Sequence, residues 1–470
     1  MDLRSLIPLL NEPLLLGQIL VSLVVAGVMV HVILLTVAYL IYLERKISAY
    51  IQDRLGPNRV GFDFGIPQLK FLRGALGLGQ PLADGLKFLL KEDYAPRNVD
   101  KILFTLAPIA IIAPALIGFL VIPWGGVWMM PEFEILGVAV GGGPVVIAGA
   151  AVNIGIVYLL AVAAVGVYGV AIGGWASNSK YSFLGGLRAT AQMISYEIPL
   201  GLSLLAALLV VGSIIPTQIV QYQVQHGWLI IAQPLTATVF FIAILAEANR
   251  APFDNAEAEQ ELVGGYHTEY SSMRFALFFL AEYAHMITSC AFFTLLFLGG
   301  YHLPIGWIVG EGHWFSPEAV GLGAAVAKTV VFFGKVVLLI CFQMVIRWTL
   351  PRLRYDQVMM LGWQTLIPLG LAIVVTISVM QYLGLTAWYW LLLASILLTA
   401  ALFFVQGVIR PESGNRRVPL HGSRFSPIPG SRVVTQSQEP LALEDHPIRS
   451  TAFGTGAGSA APELGSPRTA

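Results

Sequence analysis

Charged residues and cysteines are both scarce in this chain of 470 residues. Asp, Glu, Lys and Arg make up 11% of the sequence, against about 25% in a typical soluble protein. The formal net charge is zero, so nothing in the composition suggests that the chain binds nucleic acid. The two cysteines, Cys290 and Cys341, lie far apart inside apolar runs. That spacing excludes a disulfide framework and an iron–sulfur cluster held by this chain alone.

Nucleotide-binding motifs are also missing. The sequence contains no Walker A pattern, no GxGxxG after a strand and no nucleophile elbow. Glu282 and His285 have the Glu-x-x-His spacing of di-metal helix bundles, but a single copy does not make such a site. We therefore expect no metal, flavin, NADH or ATP to be bound by the chain alone.

Long apolar runs dominate the sequence instead, with 56% hydrophobic residues. A helix needs about 20 apolar residues to cross a bilayer. Nine segments are long enough: 17–43, 101–123, 145–172, 189–213, 229–247, 274–299, 325–349, 363–383 and 386–408. We predict an all-α integral membrane protein, with about nine transmembrane helices in residues 1–410. The first run precedes Arg45 and Lys46 and exceeds a signal-peptide core, so it is interpreted as a retained span.

Lysine and arginine concentrate in alternate loops, at about 44–100, 173–188, 248–273 and 350–362. Excess basic residues mark the cytoplasmic side, so we expect the N-terminus outside and the C-terminus in the cytoplasm. A count of eight spans would place the basic C-terminal segment outside. Residues 411–470 are rich in Pro, Ser, Gly and Arg and lack apolar periodicity, which is typical of a disordered cytoplasmic tail.

The first cytoplasmic loop carries two candidate helices. Ile47, Tyr50, Ile51 and Leu55 recur at helical spacing and predict an interfacial amphipathic helix that ends at Gly56-Pro57. Such a helix could frame an opening for a lipid-soluble ligand, or the loop could only set topology and touch anionic lipid. Residues 79–96 predict a second helix, which is either a docking surface for a soluble partner or a solvated helix with local ion pairs.

Acidic residues lie inside or beside the predicted spans. Glu197 and Glu282 each lie about 12 Å into a span from the cytoplasmic side, and Glu247 closes another span. An ionisable group there costs at least about 2.5 kcal/mol, so each is a functional candidate. The loop between spans five and six adds further acids: Asp254, Glu257, Glu259, Glu261 and Glu269. This run is either a solvated acidic face or part of a carboxylate chain that relays protons.

Five blocks of this sequence resemble the H subunit of bacterial NADH–quinone oxidoreductase, respiratory complex I. The blocks, in chain order, are 44–61, 80–93, 175–205, 247–283 and 351–363. They include ERKISAYIQDRLGPNRVG and EANRAPFDNAEAEQELVGG. A departure from the family pattern is Asn255-Ala256, which stands where a Leu-Pro pair is expected.

The resemblance implies a quinone passage and an acidic proton path. The residues that match the quinone passage are Glu44, Arg45, Lys46, Gln52, Asp53, Arg54, Asn58 and Arg59. The residues that match the proton path are Glu197, Glu247, Asp254, Glu257, Glu259, Glu261, Glu269 and Glu282.

The resemblance also implies a setting for the chain. Quinone would be the substrate, and FMN and iron–sulfur clusters would belong to partner subunits. The expected partners are the iron–sulfur subunits of the hydrophilic arm, small membrane subunits and antiporter-like subunits, in the cell inner membrane.

Two other functions fit parts of the sequence. A membrane-bound hydrogenase or formate hydrogenlyase would share the acidic spans but would not need quinone. A stand-alone secondary transporter would need a carboxylate-lined path, although the internal repeats of many transporters are not visible here. The long loop that contains GPNRVG favours the quinone enzyme.

Overall fold

The structure is a computed structural model. It describes residues 13–62, 74, 76–135, 138–256, 261, 263–304, 316 and 318–408. The chain divides into two compact units, Met1–Ala401 and Leu402–Ala470. Of the second unit, the structure describes residues 402–408, which belong to the last helix. The predicted tail, 411–470, lies outside the described residues and stays a prediction.

Helices make up most of the described chain. In chain order they are α1 (Pro13–Ile51), α2 (Gln80–Leu90), α3 (Lys101–Ile117), α4 (Gly155–Ala176), α5 (Lys180–Val211), α6 (Pro216–His226), α7 (Leu229–Ala232), α8 (Pro234–Glu247), α9 (Ser272–Phe297), α10 (Leu322–Thr349), α11 (Tyr355–Met360), α12 (Ile367–Tyr382) and α13 (Trp388–Val408). A 3₁₀ turn, Gly118–Val121, extends α3, and a π-helical segment, Leu361–Leu366, joins α11 to α12.

Seven of these helical runs are long and apolar enough to cross a membrane: α1, α3, α4, α5, α9, α10 and the run from α11 to α12. The shorter apolar helices α8 and α13 fall on the two remaining predicted spans. Within the described residues, the predicted all-α class with about nine apolar spans is therefore confirmed.

The predicted interfacial helix needs a correction. Its first half is not a separate element, because α1 continues without a break to Ile51. No proline or glycine lies between Gly27 and Gly56, and the positive φ of 66° at Gly56 turns the backbone beyond the helix. The amphipathic helix in this loop is α2, which presents Leu86, Leu89 and Leu90 at the surface.

The start of α5 also differs from the prediction. This 32-residue helix begins at Lys180 rather than near residue 189. At 1.5 Å per residue, Glu197 lies about 25 Å along this helix, while its depth below the membrane surface stays a prediction. The first turns of α5 were not predicted to be helical because Lys180 and Arg188 interrupt the apolar run there.

Two short antiparallel strand pairs follow α3 and were not predicted. They are formed by β1 (Val127–Met130), β2 (Phe133–Ile135), β3 (Val138–Val140) and β4 (Gly143–Val146). β1 pairs with β4, and β2 pairs with β3. The Gln18 side chain ties α1 to β4, since its amide donates to the Val146 carbonyl at 3.0 Å and accepts from the Val146 N–H at 2.9 Å.

The helix α9 lies in the interior of the bundle. Of its most apolar stretch, 61% is buried, against 17% for α1. Phe240 of α8 packs edge-on against Phe292 and tilted against Phe297, and both partners lie on α9. Ionisable side chains on α9 therefore face protein, where an unpaired charge is costly.

Candidate functional site

A buried carboxylate, Glu44, lies about two turns before the end of the long first helix. Arg347 of α10 donates to Glu44 Oε1 at 2.5 Å. The Tyr283 hydroxyl on α9 donates to Glu44 Oε2 at 2.5 Å, and Arg250 Nη1 lies 3.8 Å from the same oxygen. Because a buried charge needs partners, these contacts fix the end of α1 against α9, α10 and the loop after α8.

Arg250 also reaches a second buried acid. Its Nη2 atom lies 3.7 Å from Glu282 Oε2, and its guanidinium carbon lies 4.2 Å from the centre of the Tyr283 ring. The Arg250 side chain is only 6% exposed. One buried guanidinium is thus shared by Glu44, from the predicted quinone set, and Glu282, from the predicted acid set.

Tyr266 completes the surroundings of Glu282. Its hydroxyl donates to Glu282 Oε1 at 2.9 Å, and its ring packs edge-on against Phe278. The turn that carries Tyr266 is seated directly on α5. A Cβ on Gly185 would lie 2.7 Å from the Gly265 Cα, so a side chain at Gly185 would push this turn away from its position.

A buried amide network holds the loop that presents Arg250. The Gln192 amide of α5 donates to the carbonyls of Ala246 and Phe253, both at 2.8 Å, and to Asn249 Oδ1 at 3.1 Å. Asn255 donates to Gln192 Oε1 at 3.3 Å. The departure from the family pattern at Asn255 therefore has a hydrogen-bonding role here.

A third acid faces the same interior. Glu247, the last residue of α8, has its Oε1 atom 3.7 Å from His285 Nε2. Glu197 of α5 lies near enough to Glu247 for the two carboxyls to interact electrostatically. Glu247 therefore has two ionisable neighbours, His285 and Glu197. Among the described residues, no group of three or more His, Cys, Asp or Glu is arranged to hold a metal ion.

A small cavity of ≈ 40 Å³ lies among these groups. Its polar lining includes Glu247, Glu282, His285, Tyr266 and Asn249, and apolar side chains of α3, α4 and α9 close the rest. A water molecule needs about 10–15 Å³ on this measure, so the cavity has room for about three. Water there can connect the carboxyls of Glu247 and Glu282 by hydrogen bonds.

The remaining predicted acids lie in the loop after α8. Glu261 Oε2 accepts from Arg188 at 2.6 Å, and this hydrogen bond holds the pKa of Glu261 below its ordinary value. The Asp254 carbonyl accepts a hydrogen bond from Arg352. Glu269 is half-buried after the 3₁₀ turn Gly265–His267. Glu257 and Glu259 lie outside the described residues.

The predicted quinone residues fall into two groups. Glu44 and Lys46 are buried, and Lys46 donates to Asn58 Oδ1 at 2.7 Å and to the Leu55 carbonyl at 3.1 Å. Arg45 pairs with Asp84 of α2 at 2.8 Å. The others are exposed where α1 ends or just beyond it: Gln52, Asp53, Arg54, Asn58 and Arg59. The structure therefore links one member of the quinone set, Glu44, to the buried Glu282 through Arg250, which lies within 4 Å of both carboxylates.

Sequence reasoning assigned no site role to several charged residues that the structure brings forward. Arg250 lies in one of the basic loops used above to assign the cytoplasmic side, and Arg347 lies just before another. Lys328 and Lys335 were missed, although each is an ionisable residue inside a predicted span, which by itself signals a functional candidate.

The fold and these buried charges define a polytopic membrane protein with an internal ionic site. A family model described as NADH dehydrogenase matches residues 24–378. The chain is 46% identical to the H 1 subunit of NADH-quinone oxidoreductase of Geobacter sulfurreducens over 350 residues, which cover 73% of this chain and 90% of the relative. It is 43% identical over 336 residues to the H 1 subunit of NADH-quinone oxidoreductase of Cytophaga hutchinsonii, covering 71% and 88%. For the NADH-quinone oxidoreductase H subunit of Leptospira biflexa serovar Patoc, the identity is 45% over 350 residues, covering 74% and 91%.

The chain therefore belongs to the NADH dehydrogenase family of membrane proteins, whose relatives here are H subunits of NADH–quinone oxidoreductase. The resemblance predicted from the sequence blocks is confirmed.

Proposed function

We propose that the chain is the membrane subunit of a proton-translocating NADH–quinone oxidoreductase that builds the quinone-binding cavity together with the hydrophilic arm. In the same proposal, its buried carboxylates couple quinone reduction to proton pumping. The observation that carries the proposal is the position of Arg250, at 3.8 Å from Glu44 and 3.7 Å from Glu282. One arginine thus connects the quinone side of the site with the acid side.

The coupling follows from electrostatics. Reduction of a quinone to a quinol consumes protons and changes the charge around the quinone. A carboxylate in a buried ionic cluster responds strongly to such a change, because screening by water is weak there. If the charge near Glu44 changes, the pull of Glu44 on Arg250 changes as well, and with it the stabilisation that Arg250 gives to ionised Glu282.

The proton path continues from Glu282 through the cavity. Water in that space would connect Glu282 to Glu247 and His285, and Glu197 lies beyond Glu247. The loop acids Asp254, Glu257, Glu259, Glu261 and Glu269 would serve the side on which protons arrive. Within the cluster the chain's own residues hold, orient and exchange protons.

The proposal includes the surroundings of the chain. Quinone would reach the site past the first helix and α2, and the exposed Arg54 and Arg59 would support the passage. The loops that carry most of the basic residues would face the cytoplasm and pack against the iron–sulfur subunits of the hydrophilic arm. FMN and the iron–sulfur clusters would belong to those partners, and antiporter-like subunits would adjoin the acid path.

The test uses Glu282→Gln and Glu197→Gln in the assembled complex. Glutamine keeps the shape and the hydrogen-bonding capacity but removes the titratable group. We expect normal assembly on native gels, with loss of most NADH–quinone activity and of proton uptake in membrane vesicles. NADH oxidation by ferricyanide should persist, because it needs only the hydrophilic arm.

The matched control is Glu132→Gln, an exposed acid beside the strands that should keep full activity. Full activity and pumping in assembled Glu282→Gln and Glu197→Gln complexes would show that these acids are structural, and the proposed pathway would be wrong.

A further inference from the structure

A half-buried charged side chain, Lys335, lies at the other end of α9 from the acids. Lys335 projects from α10, and its ammonium donates to the carbonyls of Leu298 at 2.6 Å, Gly300 at 2.9 Å and His302 at 2.6 Å. The ring of Trp228 lies 4.6 Å from the same nitrogen. All three N–H donors of an ammonium group are therefore used by main-chain oxygen atoms.

The backbone after α9 is shaped to aim these oxygens at one point. α9 ends at Phe297, and Gly299 and Gly300 follow with φ of +70° and +55°. This left-handed turn favours glycine. A Cβ at Gly299 would lie only 2.6 Å from Trp228 Nε1, so the ring also excludes a side chain there. The end of a helix carries partial negative charge, which adds to the attraction of the three carbonyls for a cation.

No acidic side chain within the described part of the chain forms an ion pair with Lys335. Main-chain carbonyls at the end of a membrane helix, together with an aromatic face, are groups that bind free monovalent cations in other membrane proteins.

We propose that the carbonyls of Leu298, Gly300 and His302 and the ring of Trp228 form a binding site for a small monovalent cation or primary ammonium ion. The chain's own Lys335 fills this site as a tethered ligand. Removing the Lys335 side chain then leaves a site that a free ion of the same chemistry can enter. The proposal is independent of the function proposed for the acids.

The experiment is chemical rescue of Lys335→Ala in the purified, assembled complex. The missing atoms beyond Cβ correspond to n-propylammonium. In N-methyl-D-glucamine chloride, whose cation is too large for the site, we expect the variant's thermal midpoint to fall by about 4 °C or more. Addition of n-propylammonium chloride should restore at least half of that loss, and ammonium or potassium chloride should restore a smaller part.

Two controls separate binding at this site from general effects. Propanol has the same stem without the charge and should restore nothing. Leu338→Ala alters an exposed side chain on the same helix, and neither this variant nor the wild type should respond to n-propylammonium. An unchanged midpoint in Lys335→Ala, or a loss that neither n-propylammonium nor the two inorganic cations reverse, would overturn the proposal.

A measurement on the wild-type complex covers the case in which Lys335→Ala does not assemble. Mass spectrometry after treatment with an amine-acylating reagent should find Lys335 unmodified in the native complex and modified after denaturation. The exposed Lys180 should be modified in both states. Native-state acylation of Lys335 to the level of Lys180 would show that its ammonium is not held by the carbonyls, and the proposal would fail.

Discussion

The charged side chains near the two ends of α9, Glu282 and Lys335, are stabilised by different kinds of partner. Toward Ser272, Glu282 meets Arg250, and Arg250 also meets Glu44, so ionisable side chains balance one another. Toward Phe297, the Lys335 ammonium donates to three main-chain oxygens and lies over the ring of Trp228. The first arrangement depends on protonation, whereas the carbonyls of the second cannot titrate.

The acid cluster can respond to a change in protonation because its partners are ionisable, whereas the carbonyl acceptors around Lys335 are not. In the acid cluster, a proton gained by one carboxyl changes the net charge felt by all its neighbours. At Lys335, three main-chain carbonyl dipoles hold the ammonium group in one position. The contacts of Lys335 hold one end of α9 in place. The charges around Glu282 at the other end can then change while the helix keeps its position.

The largest effect is expected from Arg250→Met, which keeps a side chain of similar volume and removes the positive charge that Glu44 and Glu282 share. Two buried carboxylates then lose a common partner, and breaking a buried pair costs about 3–5 kcal/mol. We expect the amount of assembled complex on native gels to fall severely and the remaining complex to lose more than about tenfold in NADH–quinone activity.

Arg250→Lys is the companion variant. It restores the charge but not the two-pronged geometry that reaches both acids, so assembly should recover more than activity does. Equal recovery of both would mean that Arg250 acts only as a counter-ion.

A smaller effect is expected from Tyr283→Phe, which removes the hydroxyl that donates to Glu44 at 2.5 Å. A hydrogen bond to a charged group is worth about 1.5–3 kcal/mol, and Arg347 still holds the carboxylate. Complex content should stay normal while quinone turnover falls about tenfold. The control is Tyr389→Phe, an exposed tyrosine of α13 with no part in the cluster, which should keep its turnover. Unchanged turnover in Tyr283→Phe would remove this tyrosine from the site.

The number and order of the spans could be predicted because long apolar runs and alternating basic loops are properties of single segments. The acids of α9 and α8 could be found in the same way, since a charge inside an apolar run is visible in one dimension. The junction of Glu44 with Glu282 could not be predicted, because it depends on Arg250 and on how α1, α9 and α10 pack together.

The short strands and the end of α1 could not be predicted from the sequence either. The strands β1 to β4 contain three or four residues each, too short for an alternating pattern to be distinguished from an apolar loop. The break of α1 was placed too early because Ile47, Tyr50 and Ile51 fit an amphipathic helix and a continuing span equally well. Only the packing of Glu44 and Lys46 into the protein distinguishes the two.

The exposed arginines after α1 should contribute less to quinone turnover than the buried charges do. If Arg54 and Arg59 support the quinone passage, Arg54→Ala and Arg59→Ala should each raise the apparent KM for quinone by about threefold, in line with the modest energies of exposed charges. The ferricyanide reaction should not change. Arg97→Ala alters an exposed arginine of the same loop and serves as the control. Quinone kinetics identical to the control in both variants would limit this segment to anchoring the loop.

The smallest effect should come from Glu261→Gln, the exposed counterpart of Glu282→Gln. Glu261 is paired with Arg188, and its side chain is 54% exposed, so water and salt screen the pair. We expect less than a twofold change in activity, about 0.4 kcal/mol.

The pair between Glu261 and Arg188 should instead make the stability of the loop depend on pH. Because Arg188 lowers the pKa of Glu261, the pair stabilises the loop fully above the ordinary glutamate range, and this stabilisation is lost as the pH falls through the lowered pKa. The protection of residues 263–270 against hydrogen exchange, taken relative to the intrinsic rate at each pH, should therefore fall on acidification more in the wild type than in Glu261→Gln, where the pair is absent at every pH. A large loss of activity at neutral pH in Glu261→Gln would place this exposed acid in the same functional class as Glu282 and would contradict the distinction between buried and surface carboxylates.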